Sequence, residues 1–457
     1  MRRREALGAF FDLRSFIAAG VTRLNGQAFM LKSATKISLA GALLGSGMGI
    51  GFVAEAQERP ESLFARDRNI GVMDRPRPEY TSDGIQRGAF IFTPALNLGL
   101  EYTDNVFGTS QNEESDVAAI INPSIGATTT WSRHALTGDA SITRREYADF
   151  NDESVWNWTL GGAGRLDVRR DTTLEAGARY SALTEARTSA GAANQAAEPI
   201  EYDSFNAFLG ARRAVGRFLA QGELGLDEID YDDAPLFGGG IADQDFRDHT
   251  QTKATARADY AVSPDTAVFG RLRLNEREYD LAPPNVTTLR DSSGYTFDVG
   301  ADFDIRGVAT GVFGIGYTEQ DYDFAGLPDV DGLSVDGLIR WFPTQLTTIT
   351  VSAARDIKDA PFANTGGFFA TSAGLTIDHE LRRNVILSAG VSLSEDDYSG
   401  IDRTDERYGL NAGVTYFMNR NVGVRGSWTF ENQDSSGIAG GQDFARDTFG
   451  VSLVLRP

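Results

Sequence analysis

Side chains able to do acid–base or nucleophilic chemistry are few and scattered in this chain. It holds three histidines, His134, His249 and His379, and no cysteine. Without thiols there is no disulfide, thiolate metal site or cysteine nucleophile. Three histidines so far apart do not predict a His-rich zinc site. His134, Asp139 and Ser141 carry the groups of a hydrolytic triad, but a triad must converge, and their spacing supplies no reason that they should. Gly161, Gly162 and Gly164 offer the glycines of a phosphate loop without the following helix whose N–H groups would hold the anion. No nucleophile elbow, zinc-binding helix or dinucleotide fingerprint is present. The expectation is therefore no enzyme, with no catalytic, cofactor-binding or metal residues and no cofactor.

Charge is the more informative chemistry. The formal net charge is -21. Residues 1–56 contribute seven basic and three acidic side chains, a net of +4, so the remainder carries -21 minus 4, or -25. Nucleic acid needs a basic face and is excluded as a partner. Aromatics make up 10% of the chain, too many for an acidic disordered polymer. Acidic runs recur at Asp227-Glu228-Ile229-Asp230-Tyr231-Asp232-Asp233, Asp321-Tyr322-Asp323, Asp329-Val330-Asp331 and Glu395-Asp396-Asp397. Carboxylates suit calcium or magnesium, but none of these runs has the spacing of a defined calcium loop. Solubility, or cation bridges to lipopolysaccharide, accounts for them better.

Other charges sit inside strictly alternating segments. Tyr295, Phe297, Val299, Ala301, Phe303 and Ile305 alternate with Thr296, Asp298, Gly300, Asp302 and Asp304. Trp156, Trp158, Leu160, Gly162, Gly164, Leu166 and Val168 alternate with a set including Asn157, Arg165 and Asp167. The same pattern recurs at 385–393 and 408–416. A period of two puts the two sets on opposite faces of a strand. The charged set is Glu223, Asp298, Asp302, Asp304, Asp336, Asp378, Arg165, Arg179, Arg257, Arg271, Arg273 and Arg340. Facing lipid, each would cost up to a few kcal/mol. They are expected to face a wet lumen, as pore-lining candidates or as wall-bracing Arg–carboxylate ladders. On that reading Val299→Arg hinders insertion and Asp302→Arg is tolerated.

The elements that must position these charges are long strands, near the ~10 residues of a tilted membrane strand rather than the ~5 of a soluble one. Breaks between them alternate short and long. Short turns fall near residues 132–134, 169–171, 215–216, 263–265, 306–307, 343–344, 382–384 and 419–421. Longer polar connections fall near 104–116, 151–154, 188–200, 232–246, 281–291, 324–330, 360–367, 400–405 and 434–443. Short periplasmic turns and long external loops mark membrane barrels. The count predicts an all-β, antiparallel up-and-down transmembrane barrel of about eighteen strands. Aromatics gather at strand ends. Trp131, Phe218, Tyr260, Phe303, Trp341 and Tyr416 lie near short turns. Tyr147, Trp156, Trp158, Tyr231, Tyr279, Tyr295, Phe369, Tyr398 and Tyr408 lie near long loops. Two interfacial girdles are expected.

At the start, Lys32 and Lys36 precede an apolar run ending at Ala54-Glu55-Ala56, a small-x-small cleavage pattern. Residues 1–56 read as a secretory signal, with Met30 a natural start and Gln57 the first mature residue. Residues 57–87 are rich in Arg, Pro and Asp without periodicity. They read as an extended periplasmic segment, with a partner-binding arm and a partial plug both open. The barrel is placed at 88–457.

Residues 75–107 hold Arg75-Pro76-Arg77-Pro78-Glu79-Tyr80, Gly84, Gly88, Phe90, Pro94, Leu96 and Tyr102-Thr103-Asp104-Asn105-Val106-Phe107. This resembles the outer-membrane β-barrel porin family found with exopolysaccharide genes in Gram-negative bacteria. Trp131-Ser132-Arg133-His134-Ala135-Leu136 is similar to its first periplasmic turn, and the resemblance spans 72–457. It implies the outer membrane, with lipid and lipopolysaccharide as neighbours, and a polysaccharide as cargo. Phe449 to Leu455 resembles the signal read by barrel assembly machinery, although Arg456-Pro457 replaces a terminal aromatic. The expected function is a passive pore or conduit in exopolysaccharide export. A closed structural or adhesive surface barrel and an outer-membrane enzyme are the alternatives.

Overall fold

A computed structural model describes residues 70–192, 196–284, 286–305, 307–363 and 365–457. The signal expected at 1–56 and residues 57–69 lie outside the described residues. The wall begins with β1 (Phe90–Thr103), β2 (Asp116–Thr129), β3 (His134–Tyr147), β4 (Val155–Arg169), β5 (Thr172–Thr184) and β6 (Glu201–Val215). It continues through β7 (Phe218–Tyr231), β8 (His249–Ser263), β9 (Thr266–Tyr279), β10 (Ser292–Ile305), β11 (Ala309–Tyr322) and β12 (Val330–Thr344). It ends with β13 (Thr347–Asp359), β14 (Gly367–Arg382), β15 (Val385–Tyr398), β16 (Thr404–Phe417), β17 (Val422–Ser436) and β18 (Phe444–Leu455).

Each strand pairs antiparallel with its sequence neighbours, and β18 returns to β1 from Leu96↔Leu455 to Thr103↔Thr448. The eighteen-stranded ring is therefore closed, as a sheet in lipid must be, because closure leaves no backbone edge unsatisfied. Phe90–Phe92 of the β1 edge pair with the strand Ile85–Arg87, which turns into β1 through Gly88-Ala89. Gly88 has φ +60°. A two-residue hairpin loop needs positive φ at its first position, which glycine adopts without strain.

Connections at one end have two to four residues, and those at the other five to seventeen. All eight short and nine long breaks expected from the sequence are present. Alternation decides the faces. Leu160, Val299, Phe297, Ile121 and Val391 are exposed outside, which only lipid makes tolerable. Their neighbours Asp298, Thr296, Asn122 and Ser392 point inward.

The aromatic girdles hold for Trp131, Phe218, Tyr260, Trp341 and Tyr416 at the short-turn end, and for Trp156, Trp158, Tyr295 and Tyr408 at the other. They fail for Tyr279, Phe369 and Tyr398, which are buried. The reason for Tyr279 and Tyr398 is parity: both fall on the inward set of their strands. Phe369 has outward parity, but its strand leaves the wall.

That departure is the main irregularity. The β12–β13 ladder stops at Val335↔Arg355, so Val330–Ser334 pairs in the sheet with β11 alone. The β13–β14 ladder continues to Asp359↔Gly367. Ile357 and Phe369, of outward parity, pack against Tyr322 and Val330, of inward parity. The end of the β13–β14 hairpin, residues 356–363 and 365–371, is thus folded like a lapel over the inner face of β11 and β12.

Candidate pore constriction

The folded-back hairpin brings opposite charges together inside the ring. Neighbouring strands lie about 4.8 Å apart, so β9 and β13 stand roughly 19 Å apart along the wall. Yet Arg277 of β9 meets Asp359 at 2.8 Å, and Arg273 meets Asp356 at 3.4 Å. Both pairs cross the interior, which narrows the lumen at this level.

Beneath them lies one ion-pair network. Asp298 on β10 is 0% exposed. Its Oδ2 accepts from Arg271 Nε at 3.0 Å and Arg273 Nη2 at 3.3 Å, and its Oδ1 accepts from Ser334 Oγ at 3.1 Å. Arg271 also donates to Asp336 at 2.7 Å. Arg257 pairs with Asp259 and lies 3.9 Å over the Phe269 ring. Carboxylates alternating with guanidinium groups across β8, β9, β10 and β12 satisfy each other's charge, so none stands as an isolated buried ion.

All twelve charges predicted from the alternation occupy the inward face. Arg257, Arg271, Arg273, Asp298 and Asp336 converge on β8–β12. Asp302 and Asp304 lie deeper on β10 and are buried. Burial of Asp302, at 0% exposed, overturns the expectation that arginine would be tolerated there. An inward position is not always a wet one. Arg165 pairs with Asp167, and Arg179 forms a two-bonded pair with Asp139 on the opposite part of the wall. Asp378 accepts from Ser388 Oγ, and Arg340 lies 3.7 Å from Asp74. Glu223 points inward from β7.

The network includes residues that sequence reasoning missed. Arg277 and Asp259 continue the same period-two sets as Arg273 and Arg257, so counting four residues past the first and two past the second would have found them. Asp356 continues the inward set of β13 and could have been found the same way; Asp359, of outward parity, could not. The triad candidates are not assembled. Asp139 is held by Arg179, and His134 Nδ1 accepts from the Asp167 N–H at 3.3 Å, on the opposite face of β3.

The long-loop end is bridged. Arg290 donates to the carbonyls of Ala360 (2.8 Å), Phe362 (3.1 Å) and Phe246 (3.2 Å), tying three connections. Glu185, in the connection after β5, is bound through two bonds by Arg247 from the connection after β7, and Ala190 packs against Ala360, Phe368 and Tyr398. Strands β5 and β13 are eight apart in a ring of eighteen, so this strap reaches almost straight across the mouth. Asp248, in the connection after β7, has its carboxyl pushed up to about 6. Burial is the main cause, and Asp230, Asp245 and Asp280 add repulsion against the bond from the Tyr231 N–H. Among the described residues, Asp233, Asp243 and Asp245 bring carboxylate oxygens within 4.8 Å of one another. All three are exposed, and nothing but their charge points to a cation.

The short-turn end carries residues 70–84 along part of its inner rim. Val72 N donates to Thr348 Oγ1 at 2.9 Å, and Arg77 bonds Glu380 at 2.9 Å. Val72 packs with Ile386 and Phe417. Burial lowers the Arg77 pKa, opposed by Glu380.

A closed antiparallel ring with an apolar outside, a charged inside and a narrowed interior defines a transmembrane β-barrel of porin type. The chain belongs to the family described as "Putative beta-barrel porin 2", which it matches over residues 77–457. Among solved structures it is similar to the outer membrane protein OpdK from Pseudomonas aeruginosa, at 14% identity. That match covers 80% of this chain and 99% of the other, with a TM-score of 0.41. It is also similar to a BenF-like porin from Pseudomonas fluorescens Pf-5, at 11% identity over 80% and 99% of the chains, TM-score 0.44. The siderophore receptor PiuA from Acinetobacter baumannii matches at 11% identity over 82% of each chain, TM-score 0.44. No curated protein matches the sequence.

Proposed function

We propose that the protein is a passive, gated pore for small hydrophilic solutes in the outer membrane of a Gram-negative bacterium. The short-turn end faces the periplasm and the long-loop end faces outward. The observation that carries this reading is the charged network on the lumen face of the closed ring, narrowed by Arg277–Asp359 and Arg273–Asp356. Because the wall arginines are paired, the unbalanced charge is that of the loop carboxylates. They attract cations to the outer mouth, an attraction that salt screens.

The test is conductance of purified protein in planar bilayers, with reversal potentials under a salt gradient. Mild cation preference that fades at high ionic strength supports the reading. Strong anion preference, or no conductance from well-folded protein, overturns it. The second reading, a closed surface barrel, is favoured by the strap from Glu185 to Ala190 across the mouth, and silence in the same assay would select it. Export of an acidic exopolysaccharide, suggested by the sequence resemblance, needs both strap and lapel displaced and divalent cations at the acidic mouth.

A further inference from the structure

The geometry points to the lapel, residues 356–363 and 365–371, as a two-position gate that swings between the lumen and the wall. This rests on the pore reading for its consequence, but not for its geometry. The two open edges fit each other. Continuing the register from Val335↔Arg355 without a bulge would pair Ser334 with Asp356, Leu333 with Ile357 and Gly332 with Lys358. In those pairs Leu333 and Ile357 would face lipid, while Asp356 and Lys358 would face the lumen. That is the alternation of a wall strand, interrupted by Arg355, already paired with Val335, and by Asp359, which share the outward parity of Ile357. A fourth pair would set Asp331 against Asp359, where like charges stop the ladder.

The inward position is held by a different set of contacts. Ile357 and Phe369 lie in the apolar cluster with Tyr322, Leu327 and Val330. The Phe369 ring fills the space over Gly332, where an added Cβ would stand 3.0 Å from its Cζ. Arg277, Arg273 and Arg290 bind Asp359, Asp356 and the tip carbonyls. The unpaired edge of β12 meanwhile lies beside Leu333, which is 50% exposed on the outer face. An open edge at lipid depth is tolerated only where it is covered by protein or reached by water. Each position therefore satisfies one set of groups at the expense of the other, which is the condition for a bistable element.

The chain lacks cysteine, so introduced pairs report cleanly. Full-length protein in lipid vesicles would carry Leu333→Cys with Ile357→Cys to report the outward position. Gly332→Cys with Phe369→Cys, bridged by a short bis-methanethiosulfonate, would report the inward one. Gly337→Cys with Ala353→Cys, an existing ladder pair of the same parity, is the positive control. Adding Arg277→Ala and Arg290→Ala should raise the 333–357 disulfide about tenfold and lower the 332–369 bridge. Gly332→Leu, which occupies the Phe369 seat without touching an ion pair, should do the same in the 333–357 pair. Single-channel conductance should rise with it. If the control forms and neither release variant yields the 333–357 bond, the gate is refuted. If the disulfide shifts and the protein stays silent in bilayers, the lapel moves and the pore reading is what fails.

Discussion

Replacing Asp298 with alanine tests whether the lumen network holds the barrel together. The carboxylate is fully buried and accepts from Arg271, Arg273 and Ser334. Breaking a fully buried pair by removing one partner costs about 3–5 kcal/mol, whereas an exposed pair contributes about 0–1 kcal/mol. This site lies between those limits. Arg271 keeps Asp336, and Arg273, whose side chain is 24% exposed, keeps Asp356 and can take up lumen water. Ser334 loses its acceptor, at about 1 kcal/mol. The expected loss is therefore about 2–3 kcal/mol, read from denaturant unfolding in lipid vesicles with reversible refolding. Asp298→Asn, which keeps an acceptor oxygen and loses the charge, should fall between the variant and the native chain. A loss below about 0.5 kcal/mol would mean that the arginines are fully rehydrated and the network is not structural.

Four further outcomes follow. Val299→Arg places a charge on the lipid face and should cost about 2–4 kcal/mol near the midplane; Asn411→Arg, at an exposed lumen position, should not, and equal damage in a vesicle-folding assay would deny a lipid face. Asp302→Arg should now impair folding as well, because that lumen position is buried. Asp248 has a folded pKa of about 6, above the ordinary carboxylate value of about 4. Its contribution to loop stability is thus fully present below about pH 4 and lost as pH rises through about 6. Protease nicking of residues 232–248 should then be slower in acid, and Asp248→Asn should erase the difference when the two chains are compared at each pH. Epitope tags near Gly239 or Ala282 should be reachable on intact cells and tags at Asn384 or Asn419 should not, the reverse pattern placing the barrel upside down.

The wall was legible because lipid makes the pattern strict. An outward position between Tyr295 and Ile305 must be apolar, and its neighbour need not be, so a period of two survives undiluted through these eleven residues. Turn lengths were legible for a related reason. A two-residue connection such as that between β6 and β7 needs Gly216 at φ +62°, and the sequence shows it. What alternation cannot report is the environment beyond the face. It assigned Asp302 and Asn411 equally to the lumen, yet one is fully buried and the other exposed. The difference comes from which strands curve toward each other, a property of the closed ring and not of either strand.

The lapel takes this limit one step further. Read along β13, Ile357 belongs to the lipid-facing set and Asp356 and Lys358 to the lumen-facing set, the alternation of a wall strand, which Arg355 and Asp359 on the lipid-facing set interrupt. The structure turns that same face onto Tyr322 and Val330 and leaves the β12 edge unpaired. Local patterning and tertiary contact disagree over these few residues and agree elsewhere. Such disagreement is expected where function needs an element with two places to go, since a sequence that specified only one would fix it there. The parity of Ile357 is compatible with both surroundings, because lipid and an apolar cluster reward the same side chain. Asp359 is not, since it finds Arg277 inside and only Asp331 outside. The balance between positions is therefore set at the tip, and Arg277 is the residue through which it would be tuned.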